Sequence, residues 1–224
     1  VSIYLKVRDK FNNAILLESS DYHTSENSFS FICFEPIATI KIIDDIVSTN
    51  YPDKLVHSKK LVTKKNVLSE IENFKNSFQV EKSTYKFSCN GLFGYSTYDA
   101  VTYFEDIEFE GKAIAEIPDI IYSLYQYVIV INHFNDELVV FCHDTDENSI
   151  ESKLENLIGI LNNQNITTFT FDTKEKEQSN LTDEEFMQFV RDGKAHCQRG
   201  DVFQIVLSRS FSQKFTGDEF NVYR

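Results

Sequence analysis

Tryptophan is absent from this 224-residue sequence, methionine occurs once, proline three times and glycine only seven times. So little Gly and Pro, set against twenty Phe and eleven Tyr, excludes a collagen-like or low-complexity chain and indicates an ordered, packed protein. Basic residues are also scarce: 22 Lys and Arg against 35 Asp and Glu leave a formal charge of −13. Binding to phosphates needs clustered Lys and Arg, so this balance argues against a nucleic-acid partner and against an anionic membrane surface. No apolar run approaches the roughly 18 residues of a membrane span, and no charged n-region followed by an apolar h-region opens the chain. The four cysteines, Cys33, Cys89, Cys142 and Cys197, are widely spaced and form no C-x-x-C pair. Reduced, mostly buried thiols and a cytoplasmic setting are expected from that. Walker A, G-x-G-x-x-G and G-x-S-x-G patterns are missing, and the five His show no metal-ligand spacing.

What is present is 42% hydrophobic residues in 26.0 kDa, enough for one large core or two small ones. The first two-thirds read mainly as short strands. Ala14-Ile15-Leu16-Leu17 is a four-residue apolar run closed by Glu18 and Ser19, and Ser28 to Phe34 begins with the period-2 alternation of a half-buried strand. Ala38–Ile43 and Ile46–Thr49, separated by Asp44-Asp45, predict a hairpin. Val67, Leu68, Ile71, Phe74 and Phe78 recur at helical spacing and predict a helix over 66–77. A strand follows over 90–95, whose Gly91 and Gly94 suggest a bend or a close backbone approach. Ile120–Asn132 and Glu137–Cys142 predict a strand pair, and Leu154, Leu157, Ile158 and Leu161 a helix over 150–161.

The character changes over 162–181, where Asn, Gln, Lys and Glu dominate and a boundary is expected. Thr182-Asp183-Glu184-Glu185 is a capping-box pattern, and Gly200 is placed to end the helix that it opens. The segment GDVFQIVLSR, 200–209, then predicts a buried strand over Val202–Phe211 with Phe203, Ile205, Leu207 and Phe211 on one face, interrupted by Arg209. Gln204 falls on the opposite face with Val202, Val206, Ser208 and Ser210. Such a face can line a cavity, and equally Gln204 can do no more than satisfy neighbouring polar groups. Glu18 and Ser19 are open in the same way: a carboxylate and a hydroxyl at a strand end can hold an ammonium group, or Glu18 can be a plain surface residue. Thr216-Gly217-Asp218-Glu219 repeats the capping-box pattern, two turns before Arg224. With Val1 rather than Met at the start, these features together lead to the expectation of an α+β protein that is the front part of a longer one.

Several segments resemble the front part of the anthranilate synthase component I family among the chorismate-utilising enzymes: ILLESSD (15–21), SFSFICFEPIATI (28–40), GLFGYSTYDAV (91–101), IPDIIYSLYQYVIVINH (117–133) and, most specifically, GDVFQIVLSRSF (200–211). The resemblance implies mixed, mostly antiparallel sheets in a sandwich with flanking helices. It implies an N-terminal domain over 1–172 on the effector side and the start of a chorismate-binding domain over 173–224. It also implies a lyase that converts chorismate and ammonia to anthranilate and pyruvate in tryptophan biosynthesis, with ammonia supplied by a glutamine amidotransferase subunit. Gln204 would then be a pocket residue at a position where water-adding relatives carry lysine, and Leu17, Glu18 and Ser19 one side of a tryptophan feedback site. The family's Mg2+ ligands lie beyond these residues, so no metal site and no turnover are expected of this chain alone. Aminodeoxychorismate synthase component I, and a non-catalytic amino-acid-binding module, are the alternative readings.

Overall fold

The computed structural model describes residues 1–18, 28–79, 83–85, 87, 89–109, 117–166 and 169–224. In chain order the elements of the first part are α1 (Ser2–Val7), β1 (Ile15–Leu17), β2 (Phe29–Ile43), β3 (Ile46–Asn50), β4 (Val56–Lys60), α2 (Val67–Asn76), β5 (Phe93–Ser96), β6 (Ile120–Asn132), β7 (Glu137–Cys142) and α3 (Glu147–Asn162). They are followed by β8 (Phe171–Thr173), β9 (Gln178–Ser179), α4 (Asp183–Arg199), β10 (Phe211–Ser212), β11 (Phe215–Gly217) and α5 (Phe220–Tyr223). The chain divides into two units, Val1–Ile166 and Thr167–Arg224. No described helix is long and apolar enough to cross a membrane.

The first unit is built on two long strands. β2 and β6 pair from Phe29–Asn132 to Ile42–Ile120, and each is flanked by different short strands along its length. β1 lies against the start of β2 and β3 against its end, with β4 outside β3. On the other side, β5 borders the start of β6 and β7 its end. All pairings among the described residues, here and in the second unit, are antiparallel rather than mixed. The two strands expected over 28–34 and 38–43 are one strand. Glu35 takes a left-handed backbone (φ 57°) and the register shifts between Pro36 and Ala38. That bulge absorbs the extra residue and spares Pro36 a ladder N–H it lacks. The bulge is tied down from outside the sheet, because Glu35 Oε1 accepts from the Asn12 backbone N–H at 2.8 Å.

Three apolar clusters follow from this sheet. Ile40, Ile42, Val47, Val67, Phe74, Ala100, Tyr103 and Ile120 pack at the end that α2 covers. At the other end, Ile32, Phe34, Tyr127 and Ile129 face Val7 of α1 and Leu157 of α3. Cys33, Tyr125, Val128 and Val130 occupy the opposite face, with Phe31, Phe87 and Phe141 around them. The Asp44-Asp45 hairpin is present with both turn residues at positive φ, 48° and 64°, as the twist of a two-residue loop requires.

In the second unit, β8 pairs with β11 and β9 with β10. The capping box at α4 is complete: Glu185 N–H donates to Thr182 Oγ1, and the Thr182 N–H donates to Glu185 Oε2 at 2.8 Å. Gly200 ends α4 with φ 80°, a conformation that a side chain would strain. Two expectations do not hold here. The segment 202–210 forms no strand, because no neighbouring strand among the described residues supplies a ladder, and pairing begins only at Phe211. Thr216 lies in β11 rather than capping a helix, and Asp218 Oδ1 instead accepts from the Phe220 N–H at 3.0 Å.

Candidate functional site

The segment carrying Gln204 is held at both ends by α4. At its start, Asp201 Oδ2 accepts from Arg199 Nη2 and lies against His196 Nδ1, both at 2.8 Å. These partners hold the Asp201 carboxyl below its ordinary range, the His196 contact first and Arg199 second. In its middle, the segment crosses the helix at Gly193, where an added Cβ would meet Ile205 Cγ2 at 3.4 Å and Leu207 Cδ1 at 3.5 Å. At its far end Arg209 donates three ways: Nε to Ser179 Oγ at 2.8 Å, Nη1 to Asp183 Oδ1 at 2.7 Å and Nη2 to the Leu181 carbonyl at 2.7 Å. Its guanidinium also lies 4.7 Å from the Phe211 ring centre. The arginine that interrupts an apolar face in the sequence is therefore a clasp to the start of α4. That interruption was the signal of its role.

Gln204 itself is exposed, as are Ile205 and Val206, and Phe203 is fully exposed. The cavity-lining position expected for Gln204 is not formed by the described residues of its unit. Its predicted strand face needs a partner strand, and Arg209 and Gly193 fix only one side of the segment.

The other expected residues lie in the first unit. Leu17 ends β1 opposite Phe31 and is partly exposed, and Glu18 is half-buried. Ser19 lies outside the described residues. The register brings other polar groups to the same end of the sheet, which the sequence separates widely. Ser30 Oγ lies 2.6 Å from His133 Nε2, across β2 and the end of β6. The His133 N–H donates to the Ser28 carbonyl at 3.0 Å. Ser28 is 3% exposed, and its hydroxyl has no hydrogen-bond partner among the described residues.

A cleft of about 800 Å³ opens in the first unit between β7 and the residues before β5, lined by Tyr85, Asn90, Phe141, His143, Asp144 and Glu147 among others. Three of its polar side chains, Asn90, His143 and Asp144, are engaged within the protein. His143 Nδ1 lies 2.8 Å from the Tyr125 carbonyl and Nε2 2.9 Å from Asn90 Oδ1. Asp144 accepts from Lys153 and from Ser149 Oγ at 2.8 Å. Burial alone would raise the Asp144 carboxyl, but these donors and the Asp146 N–H outweigh it and bring it down to about 2. No three His, Cys, Asp or Glu side chains converge into a metal site among the described residues.

Comparison with known proteins is consistent along the whole chain. The model of the chorismate binding enzyme family matches residues 12–224. Anthranilate synthase component 1 of Lactococcus lactis is 27% identical over 100% of this chain and 48% of its own length. The protein of the same name from Aquifex aeolicus is 28% identical over 100% of this chain and 47% of its own. In fold, the crystal structure of anthranilate synthase component I from Streptococcus pneumoniae matches 96% of this chain and 47% of that one with a TM-score of 0.61, at 18% identity. The chain thus spans about half the length of the curated relatives it matches. A family match over nearly every residue, including the Gln204 segment, leads to one conclusion: this chain belongs to the chorismate-binding enzymes.

Proposed function

We propose that the chain is the N-terminal part of the large, ammonia-using subunit of an anthranilate synthase. The observation that carries this reading is the end-to-end similarity to proteins named anthranilate synthase component 1 from bacteria and an archaeal methanogen. In the reaction, ammonia adds to chorismate at C2, the C4 hydroxyl leaves, and elimination of pyruvate yields the aromatic product. Ammonia would come from a glutamine amidotransferase subunit. Gln204 would act by placement: its amide can both accept from and donate to an incoming ammonia molecule, which needs orientation rather than a strong base. Completing the pocket around Gln204 would fall to residues that the relatives carry beyond the matched half. The described side chains do not assemble a donor set for Mg2+, so no metal-dependent step is assigned to them. Glu18, Leu17 and Ser19 would form one side of a tryptophan effector site, Glu18 facing the ammonium.

The test uses the full-length gene product with chorismate, ammonium and magnesium, following anthranilate fluorescence with and without tryptophan. Fluorescent product suppressed by tryptophan is the expected result. In the Gln204→Ala variant, ammonia-dependent turnover is expected to fall roughly a hundredfold, the order contributed by one positioned group. Chorismate consumption without fluorescent product would replace the proposal with an aminodeoxychorismate synthase, and no consumption would leave an amino-acid-binding module.

A further inference from the structure

The segment carrying Gln204 is a strap laid back along α4. It leaves the C-terminal end of the helix at Asp201, whose N–H donates to the His196 carbonyl at 3.1 Å and whose carboxylate accepts from Arg199. Ile205 and Leu207 then pass over Gly193, which is buried, and Arg209 reaches Asp183, the first residue of the helix. Between Gly193 and Asp183 the helix rises about 15 Å, whereas the two residues from Leu207 to Arg209 advance the chain by only about 7 Å. The long arginine side chain makes up the difference. Its guanidinium sets each nitrogen on a different acceptor: Nε on Ser179 Oγ at 2.8 Å, Nη1 on Asp183 Oδ1 and Nη2 on the Leu181 carbonyl, both at 2.7 Å. The Phe211 ring lies against its plane, 4.7 Å from centre to centre, and the side chain is 17% exposed. A planar fork with three donor directions fixes a position, which a single ammonium charge does not. Ile205 and Leu207 pack toward the helix, and the alternation of an extended chain turns Gln204 and Val206, both exposed, to the other side.

We infer that Arg209 is a positioning residue for the amide of Gln204, acting through the strap and touching neither ammonia nor chorismate. The inference rests on the placement role proposed for Gln204 and adds what fixes that placement. No ladder hydrogen bonds hold 202–210 among the described residues, so the strap takes its course from its two ends and the crossing at Gly193. An amide that works by orientation loses its effect when it shifts by about an ångström, a displacement that can cost on the order of a hundredfold in rate. Releasing the far end of the strap is such a shift. An arginine that only held the fold together would weaken the handling of both substrates alike. One that positions Gln204 acts on the ammonia step and needs the glutamine to be there.

The test is Arg209→Lys in the full-length protein, assayed with chorismate, magnesium and varied ammonium. The variant keeps the charge and loses the fork. Its kcat/KM for ammonia is expected to fall about tenfold while the KM for chorismate stays within about twofold of wild type. Introduced into Gln204→Ala, the same substitution is expected to lower turnover by less than about twofold further, because the group it positions is already gone. Ser179→Ala removes only the acceptor of Nε and is expected to give a smaller loss of the same kind, about threefold. It carries the test if Arg209→Lys fails to fold. Equal losses with and without Gln204, or a loss spread evenly over ammonia and chorismate, would overturn the inference and leave the Gln204 reading standing. Wild-type ammonia kinetics in both Arg209→Lys and Ser179→Ala would do the same. Wild-type ammonia kinetics in Gln204→Ala itself would overturn the two together.

Discussion

At Asp144 several weak contacts meet on one carboxylate. It accepts from Lys153, from Ser149 Oγ, from the Asp146 N–H at 3.1 Å and from Gln126 Nε2 at 3.2 Å. These partners join the end of β7 to the first turns of α3, where Asp146 caps the helix through the Asn148 N–H. A carboxyl held down to about 2, against an unfolded value near 3.9, stabilises the fold above the unfolded value. That contribution is lost as pH falls through the folded one. Asp144→Asn is therefore expected to lower stability by roughly 1–2 kcal/mol at pH 7. The deficit should shrink between about pH 4 and pH 2. Urea midpoints of both proteins across that range test it, and a deficit that stays constant with pH would mean that the carboxylate charge is not the cause. Tyr103 is an opposite case, a buried phenol that donates to Asp119 Oδ2 at 2.7 Å. Burial first, and the neighbouring carboxylate second, push its pKa well up and keep it a neutral donor throughout this range.

At the scale of elements, Gly94 is a sharp constraint on the first unit. A Cβ there would stand 1.9 Å from the Ile121 carbonyl oxygen and 2.9 Å from Tyr122 Cα, both backbone atoms of β6 that cannot turn aside. Gly94→Ala must push β5 off the sheet, at a cost of roughly 3 kcal/mol. Chemical unfolding would show that as a lower midpoint at an unchanged slope, and a shift below about 1 kcal/mol would mean that β5 yields easily. The close approach was readable from two glycines in a strand pattern. So were the Asp44-Asp45 turn, the β6–β7 pair, α2, α3 and the capping box at α4, all of which depend on neighbours within a few residues. What depends on distant partners was not readable. The bulge that fuses 28–34 and 38–43 is held by Asn12, and the alternation over 202–211 describes a strand face without saying whether a partner strand is there. The same holds for the sites. Glu18 and Gln204 stood out by residue type and position, whereas Ser28, Ser30 and His133 meet only through the β2–β6 register.

For the molecule as a whole, apolar burial is divided unequally between the two units. Every buried hydrophobic side chain among the described residues lies between Val7 and Leu157, inside the unit Val1–Ile166. In Thr167–Arg224, by contrast, Met187, Phe189, Val190, Phe203, Phe211 and Phe215 are all exposed. Its order rests on the α4 capping box, the Arg209 clasp and two short strand pairs. Such polar contacts contribute about 1 kcal/mol each in solvent, too little to offset the conformational entropy of ordering the residues involved. The first unit should therefore fold on its own and the second should not. A protein made of residues 1–166 is expected to unfold cooperatively, with a melting temperature within about 5 °C of that of the 224-residue chain. A peptide of residues 167–224 is expected to show a coil-like far-ultraviolet spectrum with at most partial helix from α4. Failure of 1–166 to unfold cooperatively would mean that its clusters need the second unit. A folded 167–224 peptide would mean that polar contacts and half-exposed aromatics suffice, and the exposed face of the Gln204 segment would no longer signal a missing partner strand.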